Sequence, residues 1–161
     1  MTTAPCRLSR DDIEKFAEEV ARDLEYSPGP NLRRLIEGLG HKVTLANIED
    51  HPESLIVWPD GRFEIFLPRH TSGARDQFTM AHELGHYFLH HEPTTDVIRY
   101  NRSGADLAEV EANWFAAAFL MPESEFKPFH DEPAYRVANH FGVSEAAAKV
   151  RARSLKIRLG D

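Results

Sequence analysis

His82-Glu83-Leu84-Gly85-His86 places two imidazoles four residues apart, with a carboxylic acid directly after the first. On an α-helix a four-residue step turns the chain by about 400°, so His82 and His86 project the same way about 6 Å apart, which suits two nitrogen donors on one small ion. Zinc is the ion this chemistry favours, and manganese is the alternative that cellular availability would decide. Glu83 is turned off that line by one residue, so it reaches a water on the metal rather than the metal itself, the position of a general base. The competing reading is a solvated helix face on which two histidines merely pack or cap a turn.

A catalytic zinc keeps three protein ligands and one position for water, so a third donor must come from another element. Glu109-Val110-Glu111-Ala112-Asn113 offers one. Glu109 and Asn113 lie one helical turn apart on a shared face, so Glu109 can bind the ion while Asn113 supports a ligand from behind. Glu111 lies about 200° around the helix from Glu109, so both cannot face one ion. Without the upstream motif, the same acids would read as a first turn favouring the helix dipole. His90 continues the 82, 86, 90 face, but at about 6 Å per turn it is too far for the same ion, which leaves packing or support of a ligand.

These side chains need helices to hold them. Helical periodicity runs from Gln77 through His91 and again from Ala105 to Met121, where Pro122 ends it. Upstream, Asp11–Glu25 is amphipathic, with Ser9 or Asp11 as cap, and a short helix from Asn31 ends at Gly40. Lys42–Ala46, Ser54–Trp58 and Arg62–Leu67 are strand-like, the last two forming a hairpin around Pro59-Asp60-Gly61. Glu92–Ser103 reads as a loop, and helices are expected at Pro133–Phe141 and Glu145–Leu159, the latter capped by Ser144. A short sheet packed among helices is an α+β architecture. The expected division is a catalytic domain over residues 1–132 and a helical extension over 133–161 packed on the same domain.

The 161 residues are 42% hydrophobic and 28% charged, a composition that excludes disordered and collagen-like chains. No apolar run approaches the roughly 20 residues of a bilayer span. The first residues lack a secretory apolar stretch, and Cys6 is the only cysteine, so a cytoplasmic protein is expected. The net charge of -7 argues against nucleic-acid binding over the whole surface, although residues 146–161 carry five cations against Asp161.

Gln77-Phe78-Thr79-Met80-Ala81-His82-Glu83-Leu84-Gly85-His86-Tyr87-Phe88-Leu89-His90, followed by Glu109-Val110-Glu111-Ala112-Asn113-Trp114-Phe115-Ala116-Ala117-Ala118-Phe119-Leu120-Met121-Pro122, resembles the ImmA/IrrE family of zinc metallopeptidases. The resemblance implies a zincin-like fold with a small, mostly antiparallel sheet, in which the motif helix and the third-ligand helix frame the metal. It implies ligands at His82, His86 and Glu109 with Glu83 as base, and an amide at Asn113 where such sequences carry Asp or Asn. It further implies action on helix-turn-helix repressors of mobile-element or DNA-damage genes, by cleavage or by other relief of repression. The alternative is a metal-stabilised anti-repressor or sensor that binds without proteolysis.

Ala138–Arg151 resembles the turn and second helix of a helix-turn-helix, a segment also usual in this family, so direct DNA binding stands as a third possibility. His130, Tyr100 and Tyr135 are each candidates to stabilise the oxyanion, and the residues do not choose among them. Arg99 and Arg102 are loop charges that could touch substrate. Arg62–Leu67 is expected beside the cleft, its edge open to an extended substrate. His41, His51, His70 and His91 read as surface residues.

Overall fold

The computed structural model describes residues 3–102 and 106–161. The chain runs α1 (Arg10–Asp23), α2 (Leu32–Gly38), β1 (Lys42–Ala46), β2 (Glu53–Val57), β3 (Phe63–Pro68), α3 (Gly73–Leu89), β4 (Ile98–Asn101), α4 (Leu107–Leu120), α5 (Glu123–Phe126), a 3-10 turn at Lys127–Phe129, α6 (Ala134–Phe141) and α7 (Glu145–Ser154). The expected α+β class holds, with strands in the spatial order β1-β3-β2-β4. β1 pairs with β3 in parallel, and the other two pairings are antiparallel.

The β2–β3 hairpin follows from its turn residues. Pro59 sets its own backbone angle, the Gly61 amide donates to the Trp58 carbonyl at 2.9 Å, and Gly61 takes φ +89, which a side chain would oppose. Leu55, Val57, Phe63, Ile65 and Leu67 then face the main core, as the period of two requires. Ile56 and Phe66 point to the opposite face and form a small cluster with Ala46.

Four helices begin on side-chain caps: Ser9 accepts from Asp12, Ser72 from Arg75, Asp106 from Glu109, and Ser144 from Ala147, all near 3 Å. Ser72 starts α3 at Gly73, four residues before the expected Gln77, because a serine cap there outweighs the absence of apolar periodicity in the first turn. The expected start of α4 at Ala105 lies outside the described residues. α7 stops at Ser154 rather than Leu159, where Lys156 takes a positive φ of 58.

Two expectations about the sheet are corrected. The segment 92–103 contains β4, which pairs with β2 and was hidden because Ile98–Asn101 is too short to show a period. β3 is interior, flanked by β1 and β2, so it has no open edge for an extended substrate.

α4 packs against both α1 and α3, and its Phe115 and Phe119 are fully buried, each contributing about 2–3 kcal/mol of apolar burial. Buried Gln77 ties α3 to its neighbours: its amide donates to the carbonyls of Gly29 and Phe141 at 2.7 and 3.0 Å and accepts from Leu32 at 3.1 Å. Gly142 caps α6 at φ +69, and a Cβ there would lie 2.4 Å from the Gln77 amide. Arg151 of α7, 1% exposed, pairs with Glu14 and Glu18 of α1 and donates to the Met121 carbonyl at 2.9 Å.

Removing one partner of a buried ion pair costs about 3–5 kcal/mol, and because Glu14 is one-fifth exposed the lower end applies. Arg151→Met should therefore lower the urea-derived unfolding free energy by about 3 kcal/mol. A loss below about 0.5 kcal/mol, the range of ordinary surface changes, would contradict the role given to this pair.

Candidate metal centre

The site exists because α3 and α4 lie unusually close. A Cβ built on Gly85 would sit 3.1 Å from the Cα and carbonyl oxygen of Ala112 and 3.2 Å from the Phe115 Cβ. Glycine inside the motif and alanine opposite it thus let one backbone approach the other, at a cost in helix propensity of about 1 kcal/mol for the glycine. The same contact carries Glu109, in the first turn of α4, onto the histidine face of α3. Its amide is held by the Asp106 cap, and its negative charge lies at the positive end of the helix dipole.

Three donor groups meet there. His82 Nε2 lies 2.6 Å from Glu109 Oε2, His86 Nε2 lies 3.0 Å from Glu109 Oε1, and the two imidazole nitrogens are 3.1 Å apart. Donors about 2.0–2.1 Å from a tetrahedral ion stand about 3.3 Å from one another, so the cluster is only slightly tighter than a zinc site.

The hydrogen bonds behind the two imidazoles fix which nitrogen of each turns inward. The Asn113 Oδ1 accepts from His82 Nδ1 at 2.7 Å, which leaves His82 Nε2 as a lone pair turned inward. On the other ligand, the Glu111 carboxylate accepts from His90 Nε2 at 2.8 Å, so His90 Nδ1 is the acceptor for His86 Nδ1 at 2.9 Å, and His86 Nε2 is bare as well. Two inward-turned nitrogens and a carboxylate thus share one point, where a proton or a metal cation offsets the charge between them.

Burial pulls the His82 imidazole toward the neutral form, but the Glu109 hydrogen bond, the charges of Glu83 and Glu109, and the bond to Asn113 outweigh it and leave the pKa raised. A cation at this point competes with that proton, so metal uptake would release it. Glu83 is buried, and burial raises its pKa, with His82, His86 and a hydrogen bond from Ser54 opposing. Its Oε2 is buried and has no hydrogen-bond partner among the described residues. An unsatisfied carboxylate oxygen is costly inside a protein, and beside three metal donors it is placed to receive the proton of a reacting water.

Glu111, expected to face away from the ion, does so, and it carries a role that the sequence did not show. Its carboxylate accepts from the amides of Cys6 and Arg7 at 2.9 and 2.8 Å as well as from His90, and both Glu111 and His90 side chains have 0% exposure. The segment before α1 therefore clamps the acid that orients His90 behind His86. Nothing in residues 3–8 signals this, because the contacts are made by backbone amides. Burial raises the Glu111 pKa, yet the bonds from His90, Cys6 and Arg7 outweigh it and hold the group below its ordinary value. Cys6, His90 and Glu111 also bring donor atoms within 4.8 Å of one another, but the carboxylate is already occupied by these hydrogen bonds.

Other candidates are dispersed. His91, expected at the surface, is half-buried and pairs with the Tyr100 hydroxyl at 2.7 Å, which fixes that tyrosine to α3. His130 is exposed beside Asp131, and Tyr135 is 54% exposed. His41 is also corrected: its Nδ1 accepts from the Phe63 amide at 3.1 Å and its ring stacks on Phe63. Arg102 is no free loop charge, since it donates to the carbonyls of His51, Glu53 and Phe66. No helix among the described residues is long and apolar enough to cross a membrane.

A short sheet with two packed helices that present two histidines, a carboxylate as third donor and a buried acid defines the class of metallopeptidase-like folds. The family model for the M78 peptidases, described as an IrrE N-terminal-like domain, matches residues 36–153, and the chain belongs to that family. No curated protein matches. A solved structure titled as a Mycobacterium tuberculosis transcriptional regulator is similar in fold, with a TM-score of 0.55 and 19% identity, covering 85% of this chain. The chain spans 45% of that protein's length.

Because the folded Glu111 carboxyl lies below its ordinary pKa of 4.5, its contribution to stability is fully present above that pH and is lost as pH falls through the lowered value. Glu111→Gln in metal-free protein should flatten the fall of unfolding free energy below about pH 4.5. Urea titrations across that range check this; an unchanged slope would contradict the clamp.

Proposed function

We propose that this protein is a cytoplasmic zinc-dependent endopeptidase that hydrolyses one peptide bond in a regulatory protein, a helix-turn-helix repressor being the expected substrate class. The observation that carries the reading is the convergence of His82 Nε2, His86 Nε2 and a Glu109 carboxylate beside a buried Glu83 whose Oε2 lacks a partner. His82, His86 and Glu109 would hold the ion, which when bound supplies Lewis acidity to the scissile carbonyl and to water. Asn113 and His90 orient the two imidazoles through their Nδ1 atoms. Glu83 takes the proton of the attacking water at its free oxygen and returns it to the leaving amine. Three donors with an acid placed as a base favour chemistry over a closed structural site, which would use four protein ligands.

Family membership supports a peptidase acting on regulators, and the similar structure is titled as a transcriptional regulator. Residues 133–161 are assigned in this reading to an extension of the catalytic domain. Arg151, one of the cations of the helix-turn-helix-like segment, is spent on Glu14 and Glu18, which counts against DNA binding by this helix.

Glu83→Gln should retain zinc and lose cleavage of the repressor by about 100-fold or more, since general-base catalysis contributes at least that factor. Gel analysis of repressor fragments beside metal content checks both halves. Repressor release without fragments, unchanged in the variant, would establish the binding module instead.

A further inference from the structure

A groove of about 760 Å³ opens beside the metal centre, between the start of α3, the middle of α4 and α7. It shares Asn113 with the metal centre, since that side chain lines the groove while bonding His82 Nδ1, and it reaches Thr79, one turn before the motif. Phe78, Val110, Trp114 and Val150 make its wall apolar, and Val110 and Val150 remain 36% and 54% exposed. A wall of this kind, larger than one side chain needs, fits two or three apolar residues of a peptide.

Its charge is the second observation. Arg10 and Arg75 line the groove and no acidic residue does, in a chain whose net charge is -7. Arg10 lies 5.7 Å over the Trp114 ring and pairs with Glu14 at 3.2 Å, whereas Arg75 makes no ion pair among the described residues. A cationic rim on an anionic protein selects partners of the opposite sign at that place.

We infer that this groove binds the substrate segment flanking the scissile bond, and that the segment carries apolar side chains interspersed with acidic ones. The inference rests on the peptidase reading for the word substrate; the preference for acidic, apolar peptide rests on the groove alone. The apolar side chains fill the wall between Phe78 and Val150, and a carboxylate on the segment pairs with Arg75. Asn113 then links the bound segment to the His82 side of the metal centre.

Trp114 reports occupancy directly. In a Trp58→Phe, Glu83→Gln chain, where bound peptide is not consumed, its emission is followed against three synthetic peptides of one length. The first alternates glutamate with leucine and phenylalanine, the second replaces glutamate by lysine, and the third replaces the apolar residues by serine. A saturable blue shift is expected with the first, about tenfold or more weaker binding with the second, and no shift with the third. Arg75→Glu should reverse the charge preference, and Val150→Asp, at an exposed position that does not threaten folding, should abolish the shift. Equal affinity for the acidic and lysine peptides, or binding that survives Val150→Asp, would overturn the inference. Peptide selectivity retained in a chain that binds no zinc would sink the peptidase reading alone, and zinc-dependent cleavage without peptide selectivity would sink the groove alone.

Discussion

The backbone-to-backbone contact of α3 and α4 at Gly85 and Ala112 is the constraint on which the site depends. Every atom of the proposed metal centre sits on one of those two helices, and the donor distances of 2.6 to 3.1 Å follow from how closely they approach. A side chain at position 85 would meet the backbone of α4, which has no room to give without moving Glu109. The glycine sacrifices helix propensity for proximity, and the proximity is what brings Glu109 to the histidine face of α3. Phe115 and Phe119 then lock the pair into the core, so the approach is maintained by burial rather than by the ion itself.

Around that contact the polar groups are arranged in series. Glu111 fixes His90, His90 fixes His86, and Asn113 fixes His82, each step determining which ring nitrogen keeps its lone pair. Because Glu111 is in turn held by the amides of Cys6 and Arg7, the start of the chain contributes to the site without supplying a side chain to it. The family match begins at residue 36, so the two amides that hold Glu111 lie outside the matched region, while Glu111 itself lies within it. The orientation of His90, and through it of His86, is accordingly tied to how well Cys6 and Arg7 stay docked.

Much of the site was legible because helical geometry leaves few choices. The spacing of His82 and His86 puts two imidazoles on one face, and the roughly 200° between Glu109 and Glu111 lets only one of these acids join them; in the fold it is Glu109, while Glu111 meets His90. The α3 and α4 helices and the β2–β3 hairpin were readable from periodicity, caps and the Pro59-Asp60-Gly61 turn. β4 was not, because four residues carry no period, and the interior placement of β3 depends on strand order, which follows from pairing across distant segments. The clamp on Glu111 uses main-chain amides that every residue possesses. His41 and Arg102 were misread because their partners, the Phe63 amide and three carbonyls, are far away in sequence.

The central claim is that the α3–α4 contact builds a three-ligand zinc site, and metal content of the purified chain tests it most directly. Elemental analysis after zinc loading and removal of free ion should give about one zinc per chain in the wild type, and Glu109→Ala should bind at least about tenfold more weakly, because a two-histidine site lacks the third ligand. A wild-type chain that takes up no zinc, or a Glu109→Ala chain that holds it as firmly, would contradict the account.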